Sequence, residues 1–242
     1  MKPSTKDRRP VLVRVSPSAF FDLIVAATES AMIAPEFNDD SFKILSEWQN
    51  ERQNRSLRTG PLPGCLVFSD TGLEFAGCLL GTTTENEAQV IYSVERAVPV
   101  TALRSDDWVA QSELSPLLID DLAAAANTGW QVIADVHSHP FIDTKPAEVH
   151  ERRYYAPSPT DKTPLPYPGF HFSLIVTVSM GGRKKIGHCN SPGPLHQSRV
   201  GDFEIWLYAH LRSRRANGRP ITLEVPQLPA PAARRTKLAN AG

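Results

Sequence analysis

An apolar run that ends in two closely spaced histidines constrains this chain more than any other stretch. The run Trp130-Gln131-Val132-Ile133-Ala134 has the apolar character of a buried strand, and His137-Ser138-His139-Pro140 follows shortly after it. Side chains two residues apart on a strand point to the same face, so both imidazoles can be directed at one point. Convergent imidazoles are typical of metal sites. The fold is therefore expected to present the end of this strand to a metal ion.

The composition indicates one folded domain with a sizeable core. The chain has 242 residues, 41% of them hydrophobic, and a formal net charge of zero, which argues against a nucleic-acid partner. No run approaches the ~18 apolar residues of a membrane span, and no apolar segment of a signal peptide follows the basic N-terminus. The three cysteines, Cys65, Cys78 and Cys189, are far apart and contain no C-x-x-C pair. We therefore expect a cytoplasmic protein with reduced thiols and no membrane partner.

Local patterns predict a mixed α/β fold of the α+β type. Hydrophobic alternation and β-branched runs predict the strands, while proline after a capping serine predicts two helix starts. The predicted strands are 11–15, 65–68, 73–81, 89–94, the strand that ends at the histidines, 171–178 and 185–189. The predicted helices begin at Pro17, Pro116 and Asp202 and end near Met32, Gly129 and Asn217.

Apolar residues at helical spacing support the second and third helices. The second places Leu118, Leu122 and Ala125 on one face, with Asp120 and Asp121 on the other. For the third helix, one face holds Phe203, Trp206, Leu207, His210 and Leu211. The apolar face of each of these two helices is therefore expected to pack against the core.

The domain is expected to span residues 11–225. Residues 1–10 are predicted to be a flexible N-terminus, and the Pro/Ala-rich residues 226–242 a disordered tail. The polar, loop-rich residues 35–63 form a predicted surface insertion, with a short amphipathic helix through Phe42, Leu45 and Trp48.

Carboxylates elsewhere in the chain are candidates to join the histidines. Glu74 lies in the otherwise apolar stretch 73–81, and a buried carboxylate is costly unless it is paired or performs chemistry. Taken alone, Glu74 is explained more simply as the first, exposed position of a strand. Ser158 and Asp161 follow the histidines in a proline-rich turn.

Together these residues resemble the JAMM (MPN-plus) family of zinc isopeptidases, which includes prokaryotic JAB-type members. Every position of the family's pattern is occupied in order, over roughly residues 10–190. The matching residues are Glu74-x-x-Gly77-x-Leu79-x-Gly81, His137-x-His139-Pro140 and Ser158-x-x-Asp161. The resemblance implies a single MPN/JAB-like domain, with a cytidine-deaminase-like mixed central sheet flanked by helices.

The resemblance also implies a role for each residue. His137, His139 and Asp161 would bind Zn²⁺ and leave a fourth position for water, as in catalytic rather than structural zinc sites. Glu74 would act as general base and then as general acid, and Ser158 would hydrogen-bond the oxyanion.

One departure from the family's spacing is an insertion at residues 141–157, between the histidines and Ser158. Its aromatic residues Phe141, Tyr154 and Tyr155 are candidates to line a substrate channel. A flap over the channel and a tolerated surface loop are equally compatible with the sequence, since loops accept insertions at small entropic cost. The flap interpretation predicts that shortening the insertion changes substrate preference more than zinc binding.

The implied activity is cleavage after the C-terminal glycine of a ubiquitin-like protein. The simple domain is more similar to the prokaryotic branch, whose partners include E1-like and E2-like enzymes, some of them in antiphage defence. Two alternatives remain open: a protease that processes a sulfur-carrier protein, and a non-catalytic MPN scaffold subunit. The chain lacks H-E-x-x-H and P-C-x-x-C motifs, which excludes zincin-type proteases and nucleobase deaminases.

Overall fold

An eight-stranded mixed sheet organises the protein. The computed structural model describes residues 8–33, 74–100, 102–104, 109–111, 114–142, 144–159, 161, 167–180, 192–200, 203–211 and 219–226. The elements are β1 (Val11–Val15), α1 (Pro17–Ile33), β2 (Ala76–Glu85), β3 (Val90–Val100), β4 (Ala102–Arg104), β5 (Val109–Gln111), α2 (Leu114–Ala125), β6 (Gln131–Pro140), α3 (Pro146–Glu151), β7 (Phe172–Met180), β8 (Leu195–Val200), β9 (Phe203–Leu211) and β10 (Ile221–Glu224).

The sheet has the strand order β10-β1-β3-β2-β6-β7-β9-β8, and β4 pairs separately with β5. Strand β1 runs parallel to both β10 and β3, and β6 runs parallel to β7. The other neighbours in the large sheet are antiparallel. The predicted mixed α/β class is therefore confirmed, and β6 lies in the middle of the sheet.

Helix α1 begins as the sequence predicts. The Ser16 hydroxyl accepts a hydrogen bond from the Ala19 amide at 3.1 Å, which is a helix N-cap, and Pro17 is the first helical residue. Phe20 and Leu23 are buried against the sheet. Among the described helices, none has both the length and the apolar character needed to cross a membrane.

Most of the other strand predictions can be compared with the structure. Strands β1, β3, β6 and β7 are confirmed, and the strand predicted at 73–81 begins at Ala76 and continues to Glu85. The structure also has four strands in stretches where the sequence predicted no element: β4, β5, β8 and β10. The predictions for 35–63, 65–68 and 185–189, and for most of both termini, fall outside the described residues.

The helix predicted from Asp202 to Asn217 is wrong, because residues 203–211 form strand β9. Ile205 and Leu207 belong to the main core cluster, while Trp206 packs in a separate cluster on the other face of the sheet. A strand that is buried on both faces is apolar at nearly every position. Such a run also satisfies helical spacing, so periodicity alone cannot distinguish the two.

The predicted inward face of α2 is also wrong. Leu118 and Leu122 are each 60% exposed, whereas Ala123 is buried. Asp120, predicted to face outward, accepts hydrogen bonds from the Val132 amide at 2.5 Å and from the Tyr167 hydroxyl. The helix is therefore oriented by a carboxylate that caps neighbouring backbone, and its leucines point outward.

Two glycines of β2 are required by close backbone contacts. A Cβ atom at Gly81 would lie 1.8 Å from the carbonyl oxygen of Ser93, and one at Gly77 would lie 2.7 Å from that of Val98. The register between β2 and β3 shifts after Leu80, which brings the two backbones together. These positions therefore exclude any side chain.

Replacing Gly81 with alanine is expected to destabilise the protein by about 3 kcal/mol or more, because a backbone carbonyl cannot move aside as a side chain can. Urea denaturation would measure the loss in the free energy of unfolding. The adjacent, partly exposed Thr82→Ala is the control and should cost less than about 1 kcal/mol. Equal effects of the two substitutions would contradict the close approach.

Candidate metal centre

The end of β6 presents two buried imidazoles on one face of the sheet. His137 and His139 are 6% and 9% exposed, and the centroids of their rings are 5.1 Å apart. Strand β6 is paired on both sides, with β2 and β7. The two ligand candidates are thus held by backbone hydrogen bonds in the centre of the sheet.

Asp161 completes a cluster of three ligand atoms. Its Oδ1 lies 3.2 Å from Nε2 of His137, and its Oδ2 lies 3.5 Å from Nε2 of His139. One ligand atom from each residue falls within 4.8 Å of the others. Tetrahedral coordination at ~2.0–2.2 Å separates ligand atoms by roughly 3.3–3.6 Å. The spacing and the donor types therefore fit a metal ion with three protein ligands.

A reciprocal turn holds the carboxylate of Asp161. The Ser158 amide donates to Oδ2 of Asp161 at 2.6 Å, and the Asp161 amide donates to Oγ of Ser158 at 3.3 Å. This pairing explains the S-x-x-D spacing, since each side chain caps the other's backbone as in a capping box. The Ser158 hydroxyl uses an acceptor site here, so its own hydrogen is still able to donate elsewhere.

Glu74 is buried beside the cluster rather than exposed. Its exposed fraction is 7%, so the simpler explanation from the sequence is wrong. Ala76 is paired with His137, and extending that antiparallel register by two residues places Glu74 opposite His139. The negative charge of Glu74 contributes to raising the pKa of His139. A carboxylate from the segment that leads into β2 therefore faces the same site.

Sequence reasoning missed Ser138, which lies between the two histidines and points to the opposite face of the sheet. Its Oγ accepts a hydrogen bond from the Phe75 amide at 2.8 Å, and its amide donates to the Phe75 carbonyl at 3.0 Å. These two bonds join β6 to the residue that follows Glu74. The only sequence signal for this role was the position of Ser138 between the two histidines, which by itself does not indicate a hydrogen bond to another strand.

We expect Ser138→Ala to lower the free energy of unfolding by about 1–3 kcal/mol, because the buried Phe75 amide loses its side-chain acceptor. Any catalytic activity should fall as well, since Glu74 is then held less firmly. Thermal unfolding and kcat/KM would be measured together. Ser138→Thr keeps the hydroxyl and should restore both quantities; equal defects in the two variants would assign the effect to packing instead.

The charges of the site favour a cation between the ligands. Burial disfavours the charged form of His139, yet Asp161, the Tyr154 carbonyl and Glu74 together raise its pKa above the ordinary value. For Asp161, burial raises the pKa, but the two histidines outweigh this effect and hold the pKa well below the usual range. A metal ion would replace the proton that these groups attract, because ligating imidazoles must be neutral.

The insertion at 141–157 reaches the site through its backbone. Nδ1 of His139 lies 2.9 Å from the carbonyl oxygen of Tyr154, and the rings of Phe141 and Tyr154 stack with centroids 4.7 Å apart. Of the three predicted channel residues, Tyr155 is 7% exposed and packs with Trp206. Phe141 and Tyr154 thus lie beside His139, whereas Tyr155 faces the core.

Comparisons with known proteins give no family for this chain. No protein-family model matches it, and no curated protein matches it significantly. One similar solved structure is that of protein DSY2949 from Desulfitobacterium hafniense, at 15% identity and a TM-score of 0.33, covering 68% of this chain and 74% of that one. A likeness of this degree carries no argument about activity.

Proposed function

We propose that this protein is a zinc-dependent peptidase of the JAMM type, which cleaves after the C-terminal glycine of a ubiquitin-like protein. The observation that carries the proposal is the convergence of His137, His139 and Asp161 on one point, with buried Glu74 just before the adjacent strand β2. The central position of β6 in a mixed sheet is compatible with the MPN/JAB-like domain that the motifs imply.

Two imidazoles and one carboxylate suit zinc and leave coordination positions open, and bound zinc supplies a Lewis acid that lowers the pKa of water to about 7. The protein's own groups would manage the protons. Glu74 would accept the proton of the attacking water and deliver it to the departing amine. Glu74 is buried beside the three proposed ligands but is not one of them. Its carboxylate would therefore be available to the attacking water.

Ser158 has the second catalytic role in the proposal. Its hydroxyl hydrogen would be donated to the oxygen that gains negative charge when the amide carbon becomes tetrahedral. The amide of Asp161 fixes the hydroxyl oxygen from the other side at 3.3 Å. A donor that is oriented before the reaction has less to reorganise during it, which favours the charged transition state.

The proposed partners are ubiquitin-like proteins and their conjugates, together with the E1-like and E2-like enzymes of a prokaryotic conjugation or antiphage defence system. This assignment follows from the motif resemblance. A scaffold function would need no metal ligands, whereas here the ligand geometry is complete. The sulfur-carrier alternative uses the same site and is distinguished by substrate.

The purified 242-residue chain tests the proposal. Metal analysis is expected to give about one zinc per chain, and fusions of a ubiquitin-like or sulfur-carrier protein to a reporter should be cut after the terminal glycine. Chelation with 1,10-phenanthroline should abolish cleavage, and added zinc should restore it. A protein that binds zinc and cleaves neither fusion would contradict the proposed activity; one that does neither would support the scaffold alternative.

A further inference from the structure

We propose that the insertion at 141–157 supports a metal ligand, and that Tyr155 is the positioning residue which anchors it. This inference rests on the metal site of the proposed function, but it does not depend on the substrate. The insertion would act through the Tyr154 carbonyl, which holds His139 in the tautomer that can bind a metal.

The hydrogen bond between His139 and Tyr154 determines which ring nitrogen carries the proton. A carbonyl oxygen can only accept, so Nδ1 of His139 must be the donor at 2.9 Å. In the neutral ring, Nε2 then has the lone pair, and Nε2 is the atom that faces Asp161. Partners of this kind fix ligand orientation, and their loss typically lowers metal affinity about 10–100-fold.

A buried cluster on β9 fixes the position of that carbonyl. Val149 and Trp206 are 0% exposed and form one cluster with Tyr155, and Tyr208 packs against it with its ring centroid 6.0 Å from that of Tyr155. The insertion is therefore docked on the sheet, and the residue that follows Tyr154 is its buried anchor.

Trp206, which Tyr155 packs against, and the ligand His139 lie in one row across the sheet. His139 is paired with Thr177 on β7, and Thr177 is paired with Trp206 on β9. The insertion leaves the sheet after β6, contacts β9 through Tyr155, and returns its backbone to His139. It thus spans the two strand spacings between the ligand and Trp206.

The backbone at the end of α3 is bent so that the carbonyl can reach the histidine. The Tyr154 amide donates to the Val149 carbonyl at 3.1 Å, and the Arg153 amide donates to the His150 carbonyl at 3.2 Å. This is the Schellman pattern, which usually places glycine where Arg153 has a φ of 57°. A left-handed arginine is unfavourable by itself, so the docked side chains on either side maintain the turn.

These contacts favour ligand support over the two interpretations of the insertion from sequence. A tolerated surface loop has no reason to hydrogen-bond a buried ligand, and a flap predicts an effect on substrate preference rather than on zinc. We therefore expect the reverse of the flap prediction: loosening the insertion should weaken metal binding first.

Tyr155→Ala in the 242-residue chain tests the proposal. Zinc affinity, measured by competition with a chromophoric chelator, is expected to fall about 10–100-fold. In the metal-free protein, at a pH high enough for the His139 ring to be neutral, its imidazole ¹⁵N signals should show a protonated Nδ1 in the wild type and a mixture of tautomers in the variant. Tyr155→Phe keeps the buried ring and should retain both wild-type properties.

Phe20→Ala is the matched control, because it removes a buried aromatic ring on α1 that belongs to the main core cluster and not to the cluster that contains Tyr155. It should lower Tm as Tyr155→Ala does, with zinc affinity unchanged. The positioning role is refuted if Tyr155→Ala leaves zinc affinity unchanged, if the two variants weaken zinc binding equally, or if the neutral ring of wild-type His139 carries its proton on Nε2. A wild type that binds zinc without cleaving would refute only the peptidase activity.

Discussion

Glu74→Gln is expected to abolish peptide-bond cleavage while zinc remains bound at about one ion per chain. Glutamine has nearly the same shape as glutamate but cannot accept the proton of the attacking water. General acid–base catalysis contributes about 10²–10⁴-fold, so kcat should fall by at least the lower figure. The zinc content should not change, because the three metal ligands are His137, His139 and Asp161. Steady-state kinetics and metal analysis on the same preparation would measure both quantities.

Glu85→Gln is the control for this substitution. Glu85 lies at the other end of β2, where its half-exposed side chain pairs with Arg9 at 2.9 Å. Its replacement should leave kcat within about twofold, since surface ion pairs contribute little. If the kcat of Glu74→Gln equals that of Glu85→Gln, the general-base role is refuted. Loss of zinc from that variant would instead make Glu74 a ligand.

Asp161→Ala is expected to produce the largest change in metal binding. It removes one of three ligands and also the acceptor of the Ser158 amide. Zinc affinity should fall by more than the ~10–100-fold typical of an outer-shell partner, and cleavage should be lost with it. Competition with a chelator would give the affinity at a fixed pH, because protons compete for the same histidines.

Asp161→Asn separates the loss of the charged metal ligand from the loss of the acceptor for the Ser158 amide. Its amide oxygen can still accept from Ser158, but the negative charge that pairs with the histidines is gone. An intermediate affinity is expected, with the turn preserved. If metal content in Asp161→Ala matches the wild type, the third ligand is a different residue.

The metal cluster could be predicted from sequence because its chemistry is carried by short motifs. The spacing of His137 and His139 on a strand, and the self-capping Ser158-x-x-Asp161 turn, are local properties that do not require knowledge of the rest of the fold. The burial of Glu74, in contrast, depends on the register between β2 and β6. The motif pattern located the residue, and only the sheet shows what surrounds it.

The wrong predictions arose where distant partners override a local pattern. Residues 203–211 satisfy helical spacing, but they form a central strand because β7 and β8 pair with both of its edges. Asp120 faces inward because Val132 and Tyr167 donate to it. The docking of the insertion depends on Trp206, some fifty positions after Tyr155. None of these contacts can be inferred from neighbouring residues.

The parallel pairing of β1 with β10 has a consequence for synthesis on the ribosome. Arg14 on β1 and Glu224 on β10 are 210 positions apart and form an ion pair at 3.0 Å. Until β10 emerges, the outer edge of β1 is an unpaired strand edge that can associate with other chains. The proposed metal ligands and Glu74 are all translated before residue 162. A nascent chain can therefore hold every group of the centre well before its sheet is complete.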